Sequence, residues 1–116
     1  MSGERLLVPG AGLLAPGEAA VFELELDGER AQGFVLCHTL GLFGFLNRCP
    51  HWGVDLDLGD ARFYAEDIDR IYCKTHGALF RVTDGVCDQG PCLGEALERF
   101  TVERVGDDAW VGLERA

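Results

Sequence analysis

Two short stretches decide the fold: Cys-Pro-His at residues 49–51 and Cys-Lys-Thr-His at residues 73–76. Each stretch supplies one thiol and one imidazole, spaced Cys-x-His in the first and Cys-x-x-His in the second, and 21 residues separate His51 from Cys73. Thiolates and imidazoles are ligands for zinc and for iron–sulfur centres. The pattern therefore predicts two metal-binding loops on one small domain.

The motifs that follow resemble the Rieske iron–sulfur family. After the second stretch come Gly-Ala-Leu-Phe at residues 77–80 and Gly-x-Cys-x-x-Gly-Pro at residues 85–91. A lone Cys-x-x-His is a weak signal, whereas these motifs in this order, within residues 45–95, are specific. The resemblance implies one Rieske-type [2Fe-2S] cluster per chain, held by the two loops.

In that family each loop gives one Cys and one His, which implies Cys49, His51, Cys73 and His76 as ligands here. One iron then has two thiolates and the other has two neutral imidazoles, so the oxidised cluster is less negative than an all-thiolate cluster and is reduced more easily. We expect the thiolate-bound iron to lie deeper in the fold, and electrons to pass through exposed imidazole edges. The free ring nitrogens would couple the potential to pH.

Several flanking residues are candidate neighbours of the cluster rather than ligands: Trp52, Gly77, Ala78, Phe80, Gly90 and Pro91. Trp52 either shields the cluster and contacts a partner or is an ordinary packed aromatic side chain. The Gly-Pro turn resembles the family's proline loop, which covers the cluster, and its alternative is a plain surface turn. Lys74 either aids docking or is merely solvated, and His38 is expected to be exposed or satisfied, with no role as a ligand.

Two departures from the family's high-potential members bear on the potential. In cytochrome bc-type complexes a disulfide joins the ligand loops, and the matching positions here are Val54 and Thr75. Those proteins also place serine and tyrosine hydroxyls near the cluster sulfurs, where this chain has Ala78 and Phe80. Without these donors the added electron is less stabilised, so we expect a potential near the low end of the Rieske range, about −150 mV.

The pattern of apolar residues predicts an all-β fold, and the resemblance makes it a Rieske-like antiparallel β-sandwich or barrel with a small cluster-binding subdomain made of the two ligand loops. We expect a single domain over residues 1–116, with an extended lead-in over 1–18 and an acidic insertion over 55–69 that holds a helical turn near 65–67. A tight hairpin turn is expected at Asp84-Gly85. Strands are predicted over residues 21–26, 32–39, 42–46, 68–73, 78–82, 100–105 and 109–113.

Charge and cysteine content limit the partners and the compartment. Twenty acidic against ten basic residues give a net charge of −10, which argues against binding nucleic acid or an anionic membrane and is consistent with a basic redox partner or with solubility alone. The start of the chain does not resemble a signal peptide, so we expect a cytoplasmic protein. Cys37 is expected to be a buried thiol, and a disulfide between Cys87 and Cys92 is left open.

Missing features narrow the function. Only His38 remains once the cluster ligands are assigned, so the chain cannot supply the two-His-one-carboxylate iron of an oxygenase, and it has no Gly-x-Gly-x-x-Gly nucleotide motif. We therefore expect an electron carrier rather than an enzyme, with no small-molecule substrate: a soluble Rieske-type ferredoxin that links a reductase to an oxygenase or related oxidoreductase. The alternatives are a permanent small subunit, like that of assimilatory nitrite reductases, or a structural Cys2His2 zinc domain. The sequence leaves open the donor, the acceptor, the pathway, the oligomeric state and a role as a redox sensor.

Overall fold

The computed structural model describes residues 4–26, 28–50, 53–75 and 77–115, which form two antiparallel sheets. The strands are β1 (Arg5–Val8), β2 (Ala19–Leu26), β3 (Glu29–His38), β4 (Gly41–Leu46), β5 (Tyr64–Ala65), β6 (Arg70–Tyr72), β7 (Leu79–Phe80), β8 (Cys87–Gln89), β9 (Arg99–Val105) and β10 (Asp108–Arg115). The larger sheet has the order β1-β10-β9-β4-β3-β2, and the smaller one has the order β5-β6-β7-β8. A single 3-10 turn, Ala11–Leu13, is the helical element of the described residues.

Alternation of apolar and acidic residues explains β2. Phe22 and Leu24 are buried, whereas Val21, Glu23 and Glu25 are exposed, as a strand with one solvent-facing side requires. This predicted strand is confirmed, together with the strands β3 and β4 and the closing hairpin of β9 and β10.

The larger sheet is buried on both faces at its centre. On β3, Phe34 and Leu36 belong to the core beneath the smaller sheet, whereas Val35 points to the opposite core. That second core also contains Val8 of β1 and Phe22 of β2, the two edge strands of the sheet. The edges therefore curve toward each other, which gives the near-barrel shape, and the predicted all-β fold class is confirmed.

Aromatic packing fixes the smaller sheet onto the larger one. The ring of Phe63, just before β5, stacks on Phe34 with a centroid distance of 3.8 Å and an interplanar angle of 4°, and Phe34 also contacts Phe45 at 5.7 Å. All three rings are at most 1% exposed. Such aromatic pairs contribute about 0.5–1.5 kcal/mol beyond the area they bury, so Phe63 holds the insertion and the cluster-binding subdomain against β3 and β4.

Three expectations need correction. Residues 5–8 are not a lead-in but the edge strand β1, which pairs with β10 because its apolar run completes the second core. The helical turn expected near residues 65–67 is a hydrogen-bonded turn over residues 66–69 and not a helix: the Ile68 N–H donates to the Ala65 carbonyl at 3.3 Å and the Asp69 N–H donates to the Glu66 carbonyl at 3.4 Å. The hairpin at Asp84-Gly85 is confirmed, but its turn is wider than expected, closed by the Gly85 N–H donating to the Arg81 carbonyl at 2.7 Å. The sequence also predicts a turn at Asp27-Gly28 after the strand over residues 21–26, and Asp27 lies outside the described residues.

The strands on either side of the second predicted ligand loop are also shorter than predicted: they span Arg70–Tyr72 and Leu79–Phe80.

None of the helices in the described ranges is long and apolar enough to cross a membrane.

Candidate metal centre

The first predicted ligand loop follows β4 and is closed by its main chain. The Cys49 N–H donates to the Val54 carbonyl at 2.8 Å, and the Gly53 N–H donates to the Cys49 carbonyl at 2.8 Å. Gly53 has a φ of 71°, which a residue without a Cβ adopts at little cost. The backbone alone therefore fixes where Cys49 starts and where the chain leaves the loop.

The second predicted ligand loop, between β6 and β7, repeats this turn. The Cys73 N–H donates to the Ala78 carbonyl at 2.9 Å, the Gly77 N–H donates to the Cys73 carbonyl at 2.8 Å, and Gly77 has a φ of 74°. Each loop thus has the same two hydrogen bonds around its cysteine and a glycine four residues later. His51 and His76 occupy the second and third positions between cysteine and glycine, and both lie outside the described residues, as does Trp52.

The two cysteines lie in the same core. Cys49 and Cys73 are each 0% exposed and belong to one buried cluster, together with Phe80 and Ala78. This burial agrees with the expectation that the thiolate-bound iron is the deeper one. Within residues 4–26, 28–50, 53–75 and 77–115, no three His, Cys, Asp or Glu side chains are grouped to hold an ion.

A buried polar pair, missed by the sequence analysis, ties the two loops together. The Asn47 side chain donates to Gln32 Oε1 at 2.7 Å and to Asp57 Oδ1 at 3.1 Å, and its own oxygen accepts the Leu56 N–H at 2.8 Å. The Leu56 carbonyl in turn accepts the Lys74 N–H of the second loop at 3.0 Å. Asn47 and Asp57 are only 3% and 2% exposed. The sequence feature that could have indicated this buried pair is an asparagine, Asn47, two residues before the predicted ligand Cys49.

Hydrogen bonds keep Asp57 ionised despite its burial. Desolvation opposes the charged form, but the Asn47 side chain and the N–H groups of Gly59 and Ala61 outweigh it, so the pKa of Asp57 lies below its usual range. The buried carboxylate thereby acts as a fixed acceptor for the segment that connects the two loops.

The Gly-Pro turn packs directly on the second ligand loop, against the alternative of a plain surface turn. A Cβ at Gly90 would lie 2.7 Å from the Ala78 Cα and 3.3 Å from the Gly77 carbonyl oxygen, so only glycine permits this approach. Pro91 and Leu93 are exposed, whereas Cys92 between them is 0% exposed. The turn therefore places one inward side chain, Cys92, and two outward ones.

All five cysteines are buried thiols, and the disulfide left open between Cys87 and Cys92 is not formed. The Cys87 Sγ donates to the Gln89 carbonyl at 3.1 Å, whereas the Cys92 Sγ lies 3.5 Å from the Cys49 Sγ. Cys37, 5% exposed, is the buried thiol that the sequence predicts. Cys92 is thus a thiol beside a predicted ligand, and its position directly after the Gly-x-Cys-x-x-Gly-Pro motif of residues 85–91 did not indicate this.

Lys74 is not freely solvated. Its Nζ forms an ion pair with Asp60 and lies 5.7 Å from the centre of the Tyr72 ring, and its side chain is only 17% exposed. The hydrogen bond from Lys74 holds the pKa of Asp60 below its usual range. The expectation that Lys74 is merely solvated is therefore wrong, because Asp60 in the acidic insertion pairs with its charge. A role in docking stays a prediction.

His38 is satisfied on both ring nitrogens, as expected. Its Nδ1 accepts the Leu40 N–H at 3.1 Å, which leaves the proton on Nε2 to be donated to Asp69 Oδ1 at 2.8 Å. The Tyr64 hydroxyl donates to the same carboxylate oxygen at 2.5 Å. Burial and the Asp69 carboxylate together raise the pKa of Tyr64 to about 12.

Two matching turns that present buried thiols, with a third loop packed over one of them, define a small β domain built around a metal cluster. A model of the Rieske [2Fe-2S] domain matches residues 14–104. The chain therefore belongs to the Rieske [2Fe-2S] domain family and carries a Rieske-type cluster. The zinc alternative has no comparable support.

Solved structures agree with this assignment. The ferredoxin of carbazole 1,9a-dioxygenase from Nocardioides aromaticivorans IC177 matches with a TM-score of 0.70 and 26% identity, over 93% of this chain and 96% of its own. A complex of reduced oxygenase and oxidized ferredoxin in carbazole 1,9a-dioxygenase matches with a TM-score of 0.73 and 25% identity, over 99% of this chain and 98% of that chain.

A longer chain, in the reduced complex between oxygenase and ferredoxin in carbazole 1,9a-dioxygenase, shares the fold with a TM-score of 0.74 and 21% identity. The match covers 96% of this chain but only 28% of that one. A search of curated protein sequences gave no significant match.

Proposed function

We propose that this chain is a Rieske-type ferredoxin, which takes single electrons from a reductase and delivers them to an oxygenase or a related oxidoreductase. The observation that carries the proposal is the coverage of the ferredoxin match, 93% of this chain and 96% of the other. The match to the ferredoxin spans nearly that protein's whole length at 26% identity, whereas the match to the longer chain covers 28% of it at 21% identity. The fuller match favours transfer between proteins over catalysis. On this proposal the protein is not an enzyme.

The ligands we propose are Cys49 and Cys73 for the inner iron and His51 and His76 for the outer one. The described part of the site fits such a cluster: two fully buried cysteines stand at the same point of two equal turns. We further propose that residues 1–116 act as a single domain, in which the larger sheet supports the cluster-binding portion at about 45–95.

When bound, the cluster would supply a one-electron couple. The protein's own part is to hold the two thiolates away from water, since Cys49 and Cys73 are fully buried. Gly53 and Gly77, the glycines that end the two loops, are both exposed, so each loop reaches the surface at its described end.

Charge complementarity would select the partner. With a net charge of −10, the carrier is attracted to a basic docking surface, and attraction of this kind raises association rates by about 10–10³-fold at low salt. We propose a reductase and an oxygenase component with such surfaces as partners, and a cytoplasmic location, which suits buried cysteines that form no disulfide with one another.

The ligand assignment is tested with His51→Ala, His76→Ala and the matched control His38→Ala. We expect the unmodified protein to contain two irons per chain and, once reduced by dithionite, to show the EPR spectrum of a mixed Cys/His cluster. Either loop variant should lose that spectrum. His38→Ala should keep it, because His38 binds Asp69. An unchanged spectrum in a loop variant contradicts the assignment.

The carrier role is tested by mixing reduced protein with an oxidised oxygenase component of the carbazole 1,9a-dioxygenase type and following reoxidation in the visible spectrum. We expect electron transfer whose rate falls as salt increases. A protein that purifies only with a large partner subunit at high salt, and does not reduce a separate acceptor, would contradict the proposal.

A further inference from the structure

The third loop brings an additional thiol to a predicted ligand. Cys92 Sγ lies 3.5 Å from Cys49 Sγ, within the range of a sulfur–sulfur hydrogen bond, and both residues are 0% exposed. No water separates two side chains at this distance. The contact joins residues 43 positions apart in the sequence, so it depends on the fold rather than on local spacing.

The turn of the loop directs Cys92 inward. The Leu93 N–H donates to the Gly90 carbonyl at 3.2 Å, and the Glu95 N–H donates to the Cys92 carbonyl at 2.8 Å. Leu93 is 68% exposed, whereas Cys92 beside it is fully buried. Because Gly90 is packed on Ala78, the loop cannot move away from the ligand loops without opening this contact.

The chemistry assigns the proton. If Cys49 binds iron, which rests on the proposed function, it is a thiolate without a proton and acts only as an acceptor. The hydrogen between the two sulfurs then belongs to Cys92, whose S–H is a weak donor that becomes stronger toward a charged acceptor. Cys87 differs, because its thiol donates to the Gln89 carbonyl and not to a sulfur.

We propose that Cys92 is a positioning residue of the cluster: its S–H donates to the ligand sulfur of Cys49, stabilises the reduced form and raises the potential. Hydrogen bonds to cluster sulfurs are a recognised control of potential. The site has particular need of such a donor, because Ala78 and Phe80, both 0% exposed, carry no hydroxyl.

The test compares Cys92→Ala, Cys92→Ser and the control Cys87→Ala by redox titration of the loaded protein, with iron content and EPR measured on each. Cys92→Ala should lower the midpoint potential, Cys92→Ser should lie above Cys92→Ala because its hydroxyl restores a donor, and Cys87→Ala should match the unmodified protein. Equal potentials in Cys92→Ala and the unmodified protein overturn the inference while leaving the cluster assignment intact. If the unmodified protein contains no iron and shows no EPR signal, the proposed function is refuted instead.

A second measurement needs no change at Cys92. In the redox-difference infrared spectrum of the protein, an S–H stretching band should move to lower frequency on reduction, because the ligand sulfur becomes a stronger acceptor. The band should persist in Cys87→Ser and in Cys37→Ser, since the ligand thiolates carry no proton. A spectrum in which no S–H band responds to reduction overturns the inference, whatever the folding of the Cys92 variants.

Discussion

Replacing Gly90 by alanine tests whether the third loop is held against the second ligand loop. Gly90 has a φ of 104°, and an added Cβ would lie 2.7 Å from the Ala78 Cα and 3.3 Å from the Ala78 nitrogen. These are main-chain atoms, which cannot rotate away. Gly94 in the same loop is the matched control, because its φ is 89° but a Cβ there meets nothing within 4 Å.

Both variants have the free-energy cost of a side chain at positive φ, and only Gly90→Ala has the added cost of a steric clash. A side chain in the left-handed region costs about 1–2 kcal/mol, which applies to both Gly90→Ala and Gly94→Ala. Overpacking against fixed neighbours adds about 1–3 kcal/mol, and only at Gly90. We therefore expect Gly90→Ala to be less stable than Gly94→Ala by about 1–3 kcal/mol, equivalent to roughly 5- to 150-fold if the whole difference appears in the unfolding rate.

The assay is the rate at which the visible absorbance of the cluster disappears in urea, since release of a cluster makes unfolding irreversible. The EPR spectrum before denaturation provides an independent readout. Gly90→Ala should also shift that spectrum, because displacing the loop moves Cys92 from Cys49, whereas Gly94→Ala should leave it unchanged. Equal rates and identical spectra in the two variants would refute the packing argument.

Three further predictions concern the potential, the partly buried phenol of Tyr64 and the net charge. Redox titration should give a potential near the low end of the Rieske range, about −150 mV, and Phe80→Tyr should raise it by restoring a hydroxyl donor; a value above about +100 mV would show that the missing hydroxyls do not matter. In Tyr72→Phe, ultraviolet titration should show Tyr64 ionising near pH 12, and adding Asp69→Asn should lower that pKa by removing a neighbouring negative charge. Because the folded pKa of Tyr64 is raised, its contribution to stability should be complete below about pH 10 and be lost as pH rises from 10 toward 12, which urea melts across that range can check. Electron transfer to a basic partner should slow as ionic strength rises, whereas a rate that ignores salt would assign the net charge of −10 to solubility alone.

The sequence predicted those parts of the fold and site that have a local signal, either a periodic pattern of apolar residues or a characteristic spacing of ligand residues. The alternation of apolar and acidic residues predicted β2 correctly. The order of the three motifs predicted the family, because the cluster requires its ligands in two loops. The edge strand β1 was missed, since four residues pair only with a strand about a hundred positions away, and nothing local signals that partner. The ligand set itself stays a prediction, because both histidines lie outside the described residues.

Long-range contacts explain the other omissions at the site. Asn47 and Asp57 look like ordinary polar residues in the sequence, and only folding shows them buried with each other as partners. Cys92 resembles a spare thiol until the Gly-Pro turn brings it to Cys49. The ion pair of Lys74 was not predicted because its partner, Asp60, belongs to an insertion whose path no periodicity describes.

In the paired turns around Cys49 and Cys73, the main chain positions the cysteines, whereas the intervening side chains shape the outer surface. Each turn is closed by main-chain atoms and a glycine, so the side chains of Pro50, Lys74 and Thr75 contribute nothing to its two closing bonds. Substitutions at such rim positions can therefore reshape the outer face of the carrier while the inner thiols stay in register. Substitutions at these loop positions alone could therefore change which redox partner the protein recognises, while the buried cysteines stay in place.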